Sequence, residues 1–149
     1  MFLLLLSFLF RPLLSSLFTL HSSSPGSKAA GRDFVYFTEV NSIPATDMAT
    51  LNRLWHTFSG GKYSYSAQKK IWALQKKDYD MFCKKVGWTI TDEGSERKRN
   101  WFGTSEFIYD GKAPAGHLPL TSALRGTALL KRLMAHPVLD NEDWMKEPE

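Results

Sequence analysis

From residue 46 onward, apolar positions fall into short helical repeats broken by polar or glycine-rich turns. Met48, Leu51, Leu54, Trp55 and Phe58 follow i, i+3, i+6, i+7 and i+10, one face of a 3.6-residue repeat. Thr46 or Asp47 can cap that helix at its start, and Ser59-Gly60-Gly61 ends it, since glycine takes the left-handed C-terminal conformation cheaply. A second helix, capped by Ser64 or Ser66, runs through Ile71-Trp72-Ala73-Leu74. A third, capped by Asp78, has Tyr79, Phe82, Cys83 and Val86 as its inner face and closes at Gly87. Residues 89–100 are polar and charged, ending in Arg97-Lys98-Arg99, and read as a solvated loop. Aromatics return at Trp101-Phe102 and at Phe107-Ile108-Tyr109. Residues 112–119 contain Pro114, Gly116 and Pro119 and cannot be regular helix. A last helix starts at Leu120 or Thr121, can bury Ala123, Leu124, Ala128, Leu130, Leu133 and Met134, and stops at Pro137. Before all of these, Phe34–Phe37 and Val40–Ile43 form an apolar lead-in ended by Pro44. No β-alternation of useful length and no internal repeat occurs. The expected fold is a small all-α domain with long, aromatic-lined loops.

The first 32 residues have a different character. Met1–Leu20 is almost wholly apolar apart from Arg11-Pro12, and residues 21–32 are serine-rich, with no acidic residue before Asp33. An apolar run followed by a hydroxylated, acid-free stretch reads as a targeting leader over 1–32. Twenty residues could also span a bilayer as a retained anchor, but a mid-span arginine costs about 2.5–3.5 kcal/mol there. A mis-assigned start is the third alternative. The organisation expected is therefore leader 1–32, domain 33–137 and acidic tail 138–149.

Setting the leader aside changes the charge picture. The whole chain is +4 at neutral pH, but three of its 19 basic residues, Arg11, Lys28 and Arg32, lie in the leader and none of its 15 acidic ones does. The remainder is close to neutral, without the concentrated basic footprint of a nucleic-acid protein. A single cysteine, Cys83, excludes an intramolecular disulfide and a Cys-based zinc site, and its apolar spacing suits a small core residue.

Catalytic chemistry finds few residues to stand on. No His-Glu-x-x-His, Gly-x-Ser-x-Gly, phosphate-loop or Cys-x-x-Cys pattern is present, and Gly60-Gly61-Lys62 is a turn. His117, at the end of a Pro/Gly loop, suits hydrogen bonds that hold the loop better than a base or ligand role. No catalytic and no metal-ligating residue is assigned. Lys69-Lys70, Lys76-Lys77 and Lys84-Lys85 recur at heptad-like intervals. Such a run is ordinarily a solvated face; its functional version docks an acidic partner or an anionic lipid surface. The aromatics at 88–109 invite a ligand, because exposed rings forgo about 25 cal/mol per Å² of burial. They pack either on the core or on something that arrives later.

Several pieces combine into a recognisable order: Asp47-Met48, Leu51-Asn52-Arg53-Leu54-Trp55, Ser59 to Gln68, Ile71-Trp72, Val86-Gly87-Trp88 and Gly116-His117-Leu118-Pro119. This order, from about Phe34 to Pro137, resembles the Genomes Uncoupled Four family of porphyrin-binding proteins that stimulate magnesium chelatase in chlorophyll synthesis. The resemblance implies a non-enzymatic plastid protein, stromal or membrane-associated. It would bind protoporphyrin IX or Mg-protoporphyrin IX on a cupped apolar surface and assist the large, porphyrin-binding chelatase subunit. A peripheral contact with a plastid membrane is the further partner. The alternatives are a tetrapyrrole sensor or scavenger of the same fold without chelatase contact, and a membrane-attached interaction domain.

Carried over residue by residue, the resemblance makes Trp101 and Phe102 the loop aromatics and Arg125 the partner of a porphyrin propionate. The planar, permanently charged arginine fork suits a carboxylate. Ser122 falls where a backbone carbonyl could meet the central magnesium, an oxygen-preferring ion. Val40, Trp88, Phe107 and Leu118 complete the candidate contacts. The chain also departs from the family pattern. Tyr63-Ser64 stands for Phe-Gly and Ala67 for Val. The leader occupies the place of one or two upstream family helices, and no serine follows Ser122, where plant relatives carry a regulatory one.

Overall fold

A computed structural model of the chain describes residues 36–99, 106–120, 127–140 and 142. The leader, the start of the last helix with Ala123 and Leu124, and most of the acidic tail lie outside the described residues. Helix α1 (Ala45–Phe58) begins directly after Pro44 with no side-chain cap. The Pro44 carbonyl takes the first amides, so Thr46 and Asp47 lie inside the first turn, where Asp47 faces the positive end of the helix dipole. Helix α2 (Tyr65–Leu74) is capped by Ser64, whose Oγ accepts the Ala67 amide at 3.0 Å. In α3 (Tyr79–Lys85) the Asp78 carboxylate accepts the Met81 amide at 2.8 Å. Both caps are the ones expected, and Gly87 closes α3 at φ 74°. A Cβ there would stand 2.9 Å from Pro114 Cγ, so the loop that follows can approach only a glycine.

The all-α expectation is overturned at residues 89–98, and the fold is α+β. Strands β1 (Thr89–Asp92) and β2 (Ser95–Lys98) form a two-stranded antiparallel sheet in which Thr89 pairs with Lys98 and Asp92 with Ser95. Glu93 and Gly94, both at positive φ (48° and 81°), make the two-residue turn whose twist matches paired strands. The hairpin is mostly exposed, so no alternation marks it in the sequence.

A 3-10 turn (Phe37–Ser42) precedes α1, and another (Pro137–Leu139) follows α4 (Thr127–Met134). Helix α4 packs on the first turn and on α2, while α1 packs on α2 and on the second turn. One core cluster joins Val40, Met48, Trp55, Trp72, Phe82, Trp88, Leu118 and Leu130. Its aromatic spine is T-shaped, with Phe82 edge-on to Trp72 at 5.6 Å and to Trp88 at 5.5 Å. Leu139 is also in the core and Lys69 pairs with Asp140, so packing continues into the stretch read as a tail.

The buried face of α1 is narrower than its repeat suggested. Met48, Leu51 and Trp55 are buried, whereas Leu54 and Phe58 are exposed. Asn52 is wholly buried instead, with its Oδ1 accepting the Ser66 amide at 2.9 Å and tying α1 to α2. In α4, Ala128 faces solvent and Leu129 takes the buried place. Cys83 sits in the core, and burial pushes its thiol pKa up. Among the described residues, no helix is long and apolar enough to cross a membrane.

Candidate functional site

The candidate aromatic loop leaves the hairpin at a clamped base. The Arg99 amide donates to the Trp88 carbonyl at 2.9 Å, extending the ladder one residue past β2. Its guanidinium turns back, Nε donating to the Gly87 carbonyl at 2.5 Å and Nη1 to the Glu106 carbonyl. Arg97 grips the Glu106 carboxylate with both terminal nitrogens, at 2.8 and 2.9 Å, which holds the Arg97 proton more firmly. Residues 99 and 106, on either side of 100–105, are thus pinned to one another.

The segment leading to Leu120 is fixed by a second frame. His117 is fully buried, with Nδ1 2.7 Å from the Val86 carbonyl oxygen and Nε2 accepting the Ile108 amide at 3.1 Å. These partners set the neutral tautomer with the proton on Nδ1. Burial lowers its pKa below 6.5 and the nearby Arg99 charge adds to this, against the opposing pull of the Val86 carbonyl. The His117 carbonyl accepts the Trp88 indole N–H at 2.9 Å. Gln68 Nε2 donates to the carbonyls of Gly116 and Pro119, at 2.9 and 2.6 Å, across a cis Leu118–Pro119 peptide. The Tyr63 hydroxyl reaches the Ala113 and Asp110 carbonyls at 2.9 and 3.1 Å, and burial together with the Asp110 charge raises its pKa to about 12. His117, itself on the stem before 121–126, touches the stem after 100–105 twice: Ile108 through its ring nitrogen and Phe107 through ring packing at 5.9 Å. One hydrogen-bonded frame therefore holds the stem after 100–105 and the stem before 121–126.

A hollow between α3 and the hairpin is different in kind. It is lined by Asp80, Lys84, Thr89, Glu96, Arg97 and Lys98. Its charges are met internally, Lys98 by Asp80 and Lys84 by Glu96, each at 2.7 Å. It offers no apolar wall to a macrocycle. Among the described residues, no group of three or more His, Cys, Asp or Glu side chains could hold a metal ion.

A family model described as GUN4-like matches residues 18–137, both stems included and starting within the stretch read as a leader. The chain belongs to the GUN4-like family. It is 39% identical over 121 residues to a tetrapyrrole-binding protein, chloroplastic, of Arabidopsis thaliana, which is 79% of this chain and 46% of that protein. To a Ycf53-like protein of Synechocystis it is 34% identical over 119 residues, 80% of this chain and 48% of the other. The chain thus spans about half the length of the curated relatives it matches. Among solved structures, GUN4 of Chlamydomonas reinhardtii superposes with TM-score 0.72 at 39% identity, covering 88% of this chain and 81% of that one. The ligand-free structure of Arabidopsis thaliana GUN4 gives TM-score 0.67 at 36% identity, with the same coverage.

Within this GUN4-like domain the candidate porphyrin contacts divide into two sets. Val40, Trp88, Phe107 and Leu118 are buried in the core. Trp101, Phe102, Ser122 and Arg125 lie outside the described residues. Tyr109, among the aromatics that invited a ligand, is half-buried and packed against the core beside Phe107, as is Ile108. Sequence spacing did not find the framing residues Arg97, Arg99 and Glu106, whose partners lie 7 to 12 residues away. The Ser59–Gln68, Val-Gly-Trp and Gly-His-Leu-Pro pieces marked the place, the last two joined here through the Trp88–His117 bond and the first through Gln68. Arg97 and Arg99 are engaged within the stems, so neither offers an unpaired fork to a ligand carboxylate.

Proposed function

We propose that this chain is a non-enzymatic, plastid tetrapyrrole-binding protein that takes up protoporphyrin IX or its magnesium form. In doing so it stimulates magnesium chelatase through the large, porphyrin-binding subunit. The observation that carries the reading is the 39% identity over 121 residues with the chloroplastic tetrapyrrole-binding protein of Arabidopsis. The geometry supports it. A flat macrocycle needs preorganised apolar contacts and a cation for its propionates, because ordering loops on binding costs affinity. The Arg97–Glu106 and His117 frame holds the bases of 100–105 and 121–126, the segments carrying Trp101, Phe102, Ser122 and Arg125. Trp101 and Phe102 would cover a porphyrin face, Arg125 would meet a propionate, and the Ser122 carbonyl would approach the central magnesium.

The test is a titration of the chain with a soluble deuteroporphyrin, followed by the Soret band and tryptophan emission. A Soret shift with saturable quenching is expected; unchanged emission at saturating porphyrin sinks the reading. Chelatase stimulation is measured separately with the purified subunits. Porphyrin binding without any rise in chelatase rate would leave a tetrapyrrole sensor or scavenger and remove the chelatase role.

A further inference from the structure

We infer that Glu106 and Asp92 compete for the Arg97 guanidinium and that this competition sets tetrapyrrole affinity, making Glu106 a positioning residue; the inference rests on the tetrapyrrole reading. The hairpin is mostly exposed, so charged side chains largely fix it to its surroundings. Lys98 ties it to α3 through Asp80, and Glu96 does so through Lys84. Arg97 faces Ile90 across the ladder, and Asp92 lies two residues further along β1. That diagonal spacing is within reach of a long side chain. Arg97 Nη2 stands 3.6 Å from Asp92 Oδ2 and donates to Glu106 Oε1 at 2.9 Å. One nitrogen is thus shared between a carboxylate of its own hairpin and a carboxylate outside it.

The two partners are close enough in strength to exchange. All three side chains reach solvent, Arg97 at 43%, Asp92 at 63% and Glu106 at 23% exposure, and ion pairs this open are individually weak. Glu106 has the better geometry, because its carboxylate meets both terminal nitrogens of the fork. With Arg97 on Glu106, the stem that begins there is seated against the hairpin, Phe107 lies on the His117 ring and the Ile108 amide reaches His117 Nε2. With Arg97 turned to Asp92, Arg99 still holds the Glu106 carbonyl, so the stem stays attached but loses its side-chain anchor. A stem ordered before the ligand arrives has less freedom to lose on binding. The share of molecules with Arg97 on Glu106 therefore scales the affinity.

The test measures deuteroporphyrin affinity and dissociation rate for the full chain, and amide exchange at Phe107–Tyr109 without ligand. Glu106→Gln should bind about three- to fivefold more weakly, mostly through faster dissociation, and should exchange faster at those amides. Asp92→Asn should act in the opposite direction, with binding about twofold tighter and slower exchange. In the Glu106→Gln background Asp92→Asn should change neither, because no competition is left. A pair that only stabilised the fold would not give opposite signs for its two carboxylates, and urea midpoints check that each variant folds. The Glu106→Gln loss should be equal for the porphyrin acid and its dimethyl ester, since the pair acts on the stem and not on a propionate. The proposal is overturned if Asp92→Asn fails to tighten binding, if its effect is the same in both backgrounds, or if exchange changes while affinity does not. Tighter binding of the acid by Glu106→Gln also overturns it, in favour of a released Arg97 as propionate partner. No porphyrin binding by the unsubstituted chain removes the tetrapyrrole reading and this inference with it, an outcome distinct from binding that ignores both carboxylates.

Discussion

The Nδ1 proton of His117 bridges 2.7 Å to the carbonyl oxygen of Val86, so the loop after residue 112 hangs on the C-terminal end of α3. Its second ring nitrogen takes the Ile108 amide, and its own carbonyl takes the Trp88 indole. His117→Ala leaves Val86 and Ile108 with buried, unmatched groups and opens a cavity. A loss of about 2–4 kcal/mol in urea unfolding is expected. His117→Asn keeps a donor near Nδ1 and should recover about 1 kcal/mol of that. A loss below about 0.5 kcal/mol for the alanine variant would show that the frame is redundant.

The same residue makes acid stability a readout. Its folded pKa lies below 6.5, so as pH falls through about 6.5 the unfolded chain takes up a proton that the folded chain refuses. His117's contribution is complete above the unfolded value and is lost as pH falls from there towards the folded value. Unfolding midpoints should decline from pH 7.5 to 5, with a limiting slope of about 1.4 kcal/mol per pH unit from this group. His117→Asn should flatten that decline. An unchanged slope would mean that other groups drive it.

The helical part of the fold was legible because its signals are local. Ser64 and Asp78 cap where a hydroxyl and a carboxylate precede apolar repeats, and Gly60, Gly61 and Gly87 sit at positive φ where helices end. The hairpin was not legible: period-two patterning requires one buried face, and β1 and β2 have none. Leu54 and Phe58 fit the α1 repeat yet stay exposed, because periodicity marks a face without saying how wide its partner is. At the site, an apolar residue reads the same whether it lines a ligand or fills a core. Val40, Trp88, Phe107 and Leu118 lie in the core, while the polar bonds fixing the stems join residues distant in sequence.

The hairpin turn gives a prediction for a missed element. Glu93 adopts φ 48° in a two-residue turn that prefers asparagine before glycine. Glu93→Asn should raise stability by about 0.5–1 kcal/mol without touching the core, read as a higher urea midpoint at unchanged slope. A fall in stability would place the value of Glu93 in its charge and not in its backbone.

Arg125 carries the sharpest chemical test of the proposed site. If it pairs with a propionate, Arg125→Ala should lose about 1.5–3 kcal/mol of affinity for a porphyrin with free propionates, the range for a hydrogen bond to a charged group. The dimethyl ester should show a much smaller loss, since the charge to be met is gone. Arg125→Lys should recover only part, because a point ammonium cannot reproduce the two-pronged geometry. Added salt should narrow the difference between acid and ester if the pair is solvent-accessible, where screening acts within about 10 Å at moderate ionic strength. Equal losses for acid and ester would make Arg125 a structural residue. The propionate partner would then have to be sought among Arg97, Lys98 and Arg99, and each is already engaged: Arg97 with Glu106, Lys98 with Asp80 and Arg99 with Gly87. Any of the three could serve only by giving up such a bond, so binding through them should loosen the hairpin. Faster amide exchange at Thr89–Lys98 on adding porphyrin would reveal that route, whereas binding through Arg125 leaves those amides as protected as before.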